Sequence, residues 1–431
     1  MNGSGSVRAA LGRFITARSR QCHLCARRLA SAYHRAAMFL TGTTLSTGAR
    51  SGPGNPDKDP HPNPEHMFLG REICRMESRV TRAEYENRCV LVSGAGGSIG
   101  SELSRQILAC RPSRLILYEL SETALFKIMT DLQSLADATG IELVAVLGSV
   151  ADEIRVGHAL RIHHVQIILH AAAYKHVGLV EANPLAGLEN NVFGTQALAR
   201  QAIKHGVERF ILISSDKAVR PAGVMGASKR LAEILVQDLG TRNRDTTFAI
   251  VRFGNILGSS GSVVPLFQDQ VRRGGPVLVT DRRATRYFMT VQEAAQLVMI
   301  AGANARGNDI LVLDMGRAVP IYLLARKVIE HAGYSVRDSS NPKGDIAIRF
   351  IGLRKGEKLR ETLSLSGQLM PTHHPRILRA EEAIPSEIEV AQMLQRLRQT
   401  ITTMDEAAAI QAIAMCIDGF GRSGEEARRI S

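Results

Sequence analysis

The run Ser215-Asp216-Lys217 is the stretch of the chain best equipped for proton chemistry. A carboxylate and an ammonium side by side tune one another's pKa, which suits a donor and an acceptor of protons. Most adjacent Asp-Lys pairs are solvated ion pairs. This one follows an apolar run, Phe210-Ile-Leu-Ile213, and the carboxyl end of a parallel strand is where such folds bind ligands. A little further on, Val224-Met225-Gly-Ala-Ser-Lys229 places a second lysine one helical turn after a methionine. A different chemistry is written in Val90-Leu-Val-Ser-Gly94-Ala-Gly96-Gly97-Ser98-Ile99-Gly100-Ser101. Glycines at 94, 97 and 100 let the backbone turn tightly and approach a pyrophosphate, while a helix opening at Ser98 and Ile99 offers free N–H groups. Glu119 ends the next apolar run, 19 residues after Gly100. An acid there accepts hydrogen bonds from the adenosine ribose and repels a 2′-phosphate, so NAD is expected rather than NADP.

The elements that must position these residues are legible as short apolar runs. They are Cys89-Val-Leu-Val92, Leu115-Ile-Leu-Tyr118, Leu143-Val-Ala-Val-Leu147, Ile167-Ile-Leu169, Phe210-Ile-Leu-Ile213 and Phe248-Ala-Ile-Val251. Amphipathic stretches separate them; Ile99, Leu103 and Ile107, for example, fall on one helix face. Such alternation predicts an α/β fold, a Rossmann-type doubly wound parallel sheet with both faces covered. From about Leu257 the strands thin out. The expected organisation is a basic arm and linker over 1–65, an NAD-binding domain with the catalytic residues over 66–256, and over 257–431 a smaller C-terminal substrate-binding lobe. Helical segments are expected between Glu387 and Met415, and elements of the last two regions are free to interleave.

Composition excludes several classes. With 431 residues, 22% charged and 45% hydrophobic, the chain has ample length for a core. Six cysteines in that length make no disulfide scaffold. Cys22 and Cys25 lack a second ligand pair nearby, so no metal site is expected. Of the net charge of +13, residues 1–60 carry +7, from nine Lys/Arg and two acids. That arm is expected to be a solvated, disordered segment, with peripheral association with an acidic membrane surface as the alternative; its few aromatics (Phe14, Tyr33 and Phe39) argue against nucleic-acid binding. No transmembrane segment is expected, since the uncharged stretch Ala36 to Ala49 is too short and polar. A cytoplasmic location follows as the expectation.

The order and wording of these motifs resemble the extended short-chain dehydrogenase/reductases that act as UDP-N-acetylglucosamine 4,6-dehydratases, the CapD-like polysaccharide-biosynthesis proteins. The resemblance runs from Phe68-Leu-Gly-Arg71 to about residue 420. It includes Gly94 to Glu102, His170-Ala-Ala-Ala-Tyr-Lys-His176, Asn190-Asn-Val-Phe-Gly-Thr195, Ser215-Asp-Lys-Ala218 and Val224-Met-Gly-Ala-Ser-Lys-Arg230. It continues through Val251-Arg-Phe-Gly-Asn255, Leu257-Gly-Ser-Ser-Gly-Ser-Val263, Thr285-Arg-Tyr-Phe-Met-Thr290 and Gly352-Leu-Arg-Lys-Gly-Glu-Lys-Leu359.

The resemblance implies a reaction on UDP-N-acetylglucosamine. NAD takes hydride from sugar C4, a base removes the C5 proton, the C6 hydroxyl leaves, and hydride returns to C6. Lys217 is then the C5 base, Asp216 the acid for the C6 oxygen, and Ser215 a hydrogen-bond donor near O4. Lys229 orients the nicotinamide ribose. Met225 stands where short-chain dehydrogenases carry a catalytic Tyr, which leaves the O4 proton to Asp216 or to water. Gly94, Gly97, Ser98, Ile99, Gly100, Glu119, Ser149, Val150, Ala171 and Ala172 would line the cofactor site. Lys175, Asn255, Arg286 and Arg354 would hold the substrate, with Arg252 either in the same clamp or in a structural ion pair. Asn191 resembles a scaffold asparagine.

Two departures stand out. Ser149 replaces a frequent Asp, and the transmembrane helices usual before Phe68 in Met-type relatives are replaced by the basic arm. A homo-oligomer is expected by resemblance. Two other functions compete: a nucleotide-sugar epimerase or reductase, which needs no Asp216-Lys217 pair, and a catalytically silent NAD and nucleotide-sugar binding protein.

Overall fold

All six apolar runs form strands in the computed structural model, which describes residues 79–420. The basic arm, the Cys22/Cys25 pair and Phe68-Leu-Gly-Arg71 lie outside the described residues. The strands are β1 (Cys89–Ser93), β2 (Arg114–Glu119), β3 (Glu142–Leu147), β4 (Ile167–His170), β5 (Arg209–Ile213) and β6 (Thr247–Arg252). They run parallel in the spatial order β3-β2-β1-β4-β5-β6. The order reverses between β1 and β4, the kind of crevice where open α/β sheets bind ligands.

Both faces are covered, which is why the strands read as continuous apolar runs. Alternate residues still go to opposite sides. Val90, Val92, Leu115, Leu117, Ile211 and Ile213 pack into one core with helices Ser98–Ala109, Glu122–Thr139 and Val291–Asn304. Leu91, Ile116, Tyr118, Phe210 and Leu212 pack into the other with helices Glu153–His163, Gly194–Lys204 and Val224–Arg242.

The sheet is larger than the sequence reading. Asp309–Leu313 continues it in parallel beside β6, and Ile377–Ala380 and Met370–Pro371 close that edge antiparallel, giving nine strands. Asp309–Leu313 is as buried as β1, but it sits beyond the point where the loops lengthen. Ile377–Ala380 is buried only at its two ends, with Leu378 and Arg379 half-buried between them, and reads weakly for that reason.

Residues after 257 therefore serve two bodies of structure. Besides those edge strands they build a three-stranded sheet, Val336–Arg337, Ile346–Phe350 and Val277–Val279, packed under helices Val263–Arg272 and Ile321–His331. Its core holds Phe267, Val271, Val277, Leu324, Val328 and Ile346. Helices Glu387–Thr402 and Glu406–Cys416 begin at side-chain caps from Ser386 and Asp405. Their Val390, Met393, Leu397 and Ile413 join Leu231, Ile234 and Met225 in a further core. Helix Val224–Arg242 is thereby enclosed on all sides, with every residue from Val224 to Leu239 buried. No helix among the described residues is long and apolar enough to cross a membrane.

That helix is pinned to the sheet by ions. Arg252, fully buried at the end of β6, donates to both oxygens of Glu233 at 2.7 and 2.6 Å and to both oxygens of Glu382 at 2.5 and 2.8 Å. Arg230 reaches the same two carboxylates at 3.1 and 2.7 Å. Burial works against charge on Glu233, yet Arg252 and Arg230 outweigh it and hold the carboxyl below the ordinary glutamate range. The structure thus puts Arg252 in the structural ion pair. Removing one member strands the opposite charge in a dry interior. Arg252→Leu is expected to lower unfolding free energy by about 3–5 kcal/mol, measured by urea denaturation. A loss within about 0.5 kcal/mol, as for an ordinary surface change, would refute the pinning role.

Candidate active site

The glycine turn joins β1 to helix Ser98–Ala109 and is fixed by close backbone approach. Gly94 has φ +66°, and a Cβ on it would lie 2.7 Å from Ala172 Cα. A Cβ on Gly100 would lie 2.0 Å from the Gly94 carbonyl oxygen, whereas one on Gly97 would meet that oxygen at 3.3 Å. Gly97 is the N-cap and no side chain caps this helix end. Such an end has N–H groups to offer an anion.

The neighbouring residues form the walls. Ala171 donates its N–H to the Ser93 carbonyl at 3.1 Å and Ala172 lies against Gly94. Glu119 ends β2 and accepts N–H groups from Gly96 at 2.9 Å, Leu120 at 2.9 Å and Ser121 at 3.0 Å. A carboxylate has about four acceptor sites, so the turn is held by Glu119 while capacity remains for a ligand hydroxyl. Ser149 is engaged locally, its Oγ accepting from the Ala151 N–H at 3.2 Å and its carbonyl from the Tyr118 hydroxyl at 2.8 Å. Val150 is buried against Gly194. A turn that excludes a side chain at Gly94 and Gly100, an uncapped helix end and an acid at the end of β2 together fit the diphosphate and ribose of a dinucleotide.

Asp216 and Lys217 follow β5 in a short 3-10 turn, with the Ser215 hydroxyl accepting the Lys217 N–H at 3.2 Å. Lys217 Nζ donates to Asp216 Oδ1 at 3.0 Å and to Asn255 Oδ1 at 2.9 Å. The Ser215 hydroxyl donates to the same Asp216 oxygen at 2.9 Å. Asp216 Oδ2 is buried without a hydrogen-bond partner among the described residues, and a Cβ on Gly254 would reach it at 2.9 Å. Burial pushes the Asp216 carboxyl up, against the pull of Lys217. Burial also opposes charge on Lys217, but there Asp216 and Glu361 outweigh it and raise the ammonium.

Lys229 holds the end of the strand that leads into this pair. Its Nζ donates to the Ile213 carbonyl at 3.0 Å, and burial brings its pKa down to about 8, with Glu233 opposing. Met225 is buried and lines a narrow cleft with Glu181, Lys217, Lys358 and Glu361. Glu181 accepts the Met225 N–H at 3.3 Å, and burial raises its carboxyl. Asn191, in a π-helical turn over Glu189–Phe193, accepts the Tyr174 N–H at 2.8 Å and donates to the Ser228 hydroxyl at 2.9 Å. It ties the loop after β4 to helix Val224–Arg242.

The remaining residues singled out in the sequence divide. Asn255 is in contact with Lys217. Arg286 is buried and donates to the carbonyls of Lys358 at 2.7 Å and Leu359 at 3.1 Å and to Glu357 at 3.1 Å. Lys175 and Arg354 are exposed. Glu361, Lys358 and Glu181 complete the cleft and were not singled out from the sequence. The opposite charges three residues apart in Lys358-Leu-Arg-Glu361 were the available signal. A separate cavity of about 320 Å³ lies between helices Ser98–Ala109 and Glu122–Thr139 and the 257–260 loop, and none of the residues around Lys217 lines it.

A protein-family model described as "Polysaccharide biosynthesis protein" matches residues 90–382. The chain is 43% identical over 304 residues to "Capsular polysaccharide biosynthesis protein CapD" of Staphylococcus aureus, over 70% of this chain and 49% of that protein. It therefore spans about half the length of that curated relative. It is 28% identical over 283 residues to a Campylobacter jejuni "UDP-N-acetylglucosamine 4,6-dehydratase (inverting)", over 65% of this chain and 78% of that one. Among solved structures, a DesIV double mutant (dTDP-glucose 4,6-dehydratase) from Streptomyces venezuelae "with NAD and DAU bound" matches with a TM-score of 0.55 and 25% identity, covering 64% of this chain and 87% of that one.

The turn geometry sets a ranking that can be measured. Gly100→Ala drives a methyl into the Gly94 carbonyl and is expected to cost about 2–3 kcal/mol. Gly97→Ala, with a tolerable contact, should cost about 1 kcal/mol or less. Thermal unfolding of the two variants checks the order, and equal losses would contradict it.

Proposed function

The chain belongs to the polysaccharide biosynthesis protein family, and from that premise we propose that it is a UDP-N-acetylglucosamine 4,6-dehydratase that makes UDP-2-acetamido-2,6-dideoxy-hexos-4-ulose. The observation that carries this reading is the buried Asp216–Lys217 contact at 3.0 Å beside Asn255. Oxidation and re-reduction at C4 alone need one group to exchange the O4 proton and neither a C5 base nor a C6 acid; removal of a C5 proton and departure of a C6 hydroxyl need both.

In this reading Gly94, Gly97, Ser98, Ile99 and Gly100 hold the diphosphate of a nicotinamide dinucleotide, and Glu119 accepts from its ribose, which favours NAD. Ser149, Val150, Ala171 and Ala172 wall the site. When bound, the dinucleotide supplies hydride exchange with the sugar. Lys229 keeps a cation near the nicotinamide ribose, and Asn255, Lys175, Arg286 and Arg354 are assigned to the nucleotide-sugar.

The pair then needs Lys217 neutral and Asp216 protonated. One proton passing from Nζ to Oδ1 across the existing hydrogen bond makes both changes at once, and burial of the two groups favours the uncharged form. The Lys217 amine next takes the C5 proton. Asp216 gives its proton to the C6 oxygen, which leaves as water. The Lys217 ammonium then returns a proton to C5 as C6 is reduced, and the proton released from O4 during oxidation at C4, taken directly or through water, makes good the one that Asp216 gave up.

NMR of UDP-N-acetylglucosamine incubated with the full chain in deuterated water tests the proposal. A C6 methyl signal with deuterium at C5 is expected. Lys217→Ala should lower turnover by about 10²–10⁴-fold and stop C5 exchange. Asp216→Asn should mainly block loss of the C6 hydroxyl. A C4 epimer without a methyl signal would replace dehydratase with epimerase. Unchanged sugar with dinucleotide bound would favour a silent binding protein.

A further inference from the structure

The reaction as written leaves one buried carboxylate beside the pair unused. The side chain of Glu361 is 3% exposed, its Oε2 accepts from Lys358 Nζ at 2.8 Å, and its Oε1 lies 4.0 Å from Lys217 Nζ. A Lys-Glu pair three residues apart is ordinarily a local surface contact. Here Lys358 also donates to the Val219 carbonyl at 2.8 Å, just past the turn that carries Lys217. The segment 352–361 thus straddles the catalytic turn, and its backbone is over-determined. Arg286 holds the Lys358 and Leu359 carbonyls, the Thr285 N–H holds Leu359 at 3.1 Å, and Thr280 donates to Glu357 at 3.0 Å. Such anchoring is what a group needs if it is to act on its neighbours from a fixed place.

We propose that Glu361 is a positioning residue for the Asp216–Lys217 pair: its carboxylate, fixed by Lys358 and the Arg286-anchored strap, holds the Lys217 amine between Asp216 and Asn255. The catalytic consequence rests on the dehydratase reading; the electrostatic one does not. Lys217 is faced by Asp216 and Glu361, with Arg286 opposing, and Asp216 by Lys217 and Glu361. Glu361 is faced by Lys217, Lys358 and Arg286, which outweigh burial and hold its carboxyl below the ordinary range. Glu181 lines the same cleft. Because Glu361 raises both Lys217 and Asp216, neutralising it lowers both.

The test is Glu361→Gln, which keeps shape and removes charge. The Lys217 pKa is read by ¹³C NMR of protein labelled at lysine Cε, with Lys217→Met identifying the resonance. A fall of about one unit is expected, and both limbs of the kcat profile should move to lower pH together. Glu361→Asp, which keeps the charge but draws it back by one methylene, should give a smaller fall, and it carries the test where Glu361→Gln does not fold. An unshifted Lys217 titration, with an active parent and an unmoved pH profile, overturns the role of Glu361 and leaves the dehydratase reading standing. A shifted titration with no methyl product from the parent supports the role of Glu361 and sinks the dehydratase reading instead.

Discussion

The architecture of the candidate site depends on the buried cluster of Arg252, Arg230, Glu233 and Glu382. It brings together β6, the helix Val224–Arg242 and the chain just after the edge strand Ile377–Ala380. Its two cations and two anions balance, so the interior holds no net charge. Ser214, the residue before the Ser215-Asp216-Lys217 run, donates its hydroxyl to Glu233 at 2.6 Å. Glu382 in turn accepts the Leu365 N–H at 3.3 Å, so the segment that follows Glu361 is drawn to the same point. An ion cluster of this kind is weak as a source of stability compared with an apolar core, but it tolerates few alternative packings. It sets where helix Val224–Arg242 meets the end of β5.

A second charge cluster lies above it, made of Asp216, Lys217, Glu361 and Lys358 with Arg286 at its edge. The two differ in their cations. Guanidinium groups keep their protons at any working pH, so the lower cluster stays locked in one charge state. Ammonium groups surrender protons when burial is strong enough, and burial has brought Lys229 to about 8. On the dehydratase reading arginine stands where charge persists, while the Lys217 ammonium, held up by its carboxylate neighbours, gives up its proton only by passing it to Asp216. Lys229 belongs to both layers, since Glu233 from the lower cluster acts on it while its Nζ holds the end of β5.

What the sequence disclosed follows from the range of each signal. The six strands and the glycine turn are local patterns of apolar runs and fixed spacings, and the structure has them in place. Asp309–Leu313 carries the same pattern, yet only its pairing with β6 makes it part of the sheet. Arg286 and Arg354 look alike in sequence as basic residues in similar motifs; one is buried under carbonyl contacts and the other exposed, because the strap that covers Arg286 carries Arg354 on its exposed side. Glu361 lies far along the chain from Lys217, and no periodicity links them. Contacts of that separation are set by packing of the whole domain, which a motif does not encode.

Met225 is best understood through the same electrostatics. On the dehydratase reading the pair at 216–217 works from its uncharged form, and anything that solvates charge beside it favours the resting ion pair. A tyrosine hydroxyl at 225 would offer a hydrogen bond into the cleft shared by Lys217 and Glu361. Methionine offers an apolar, polarizable wall instead, and it is backed by Val224, Leu231 and the C-terminal helices through Val390 and Ile413. On that reading a methionine here forgoes a phenol base at C4 and favours the steps at C5 and C6, because a drier wall lowers the cost of moving one proton from Lys217 to Asp216. On the same reading the enclosing helices at 387–416 contribute to the chemistry without touching it, by packing over Met225 and keeping that wall dry.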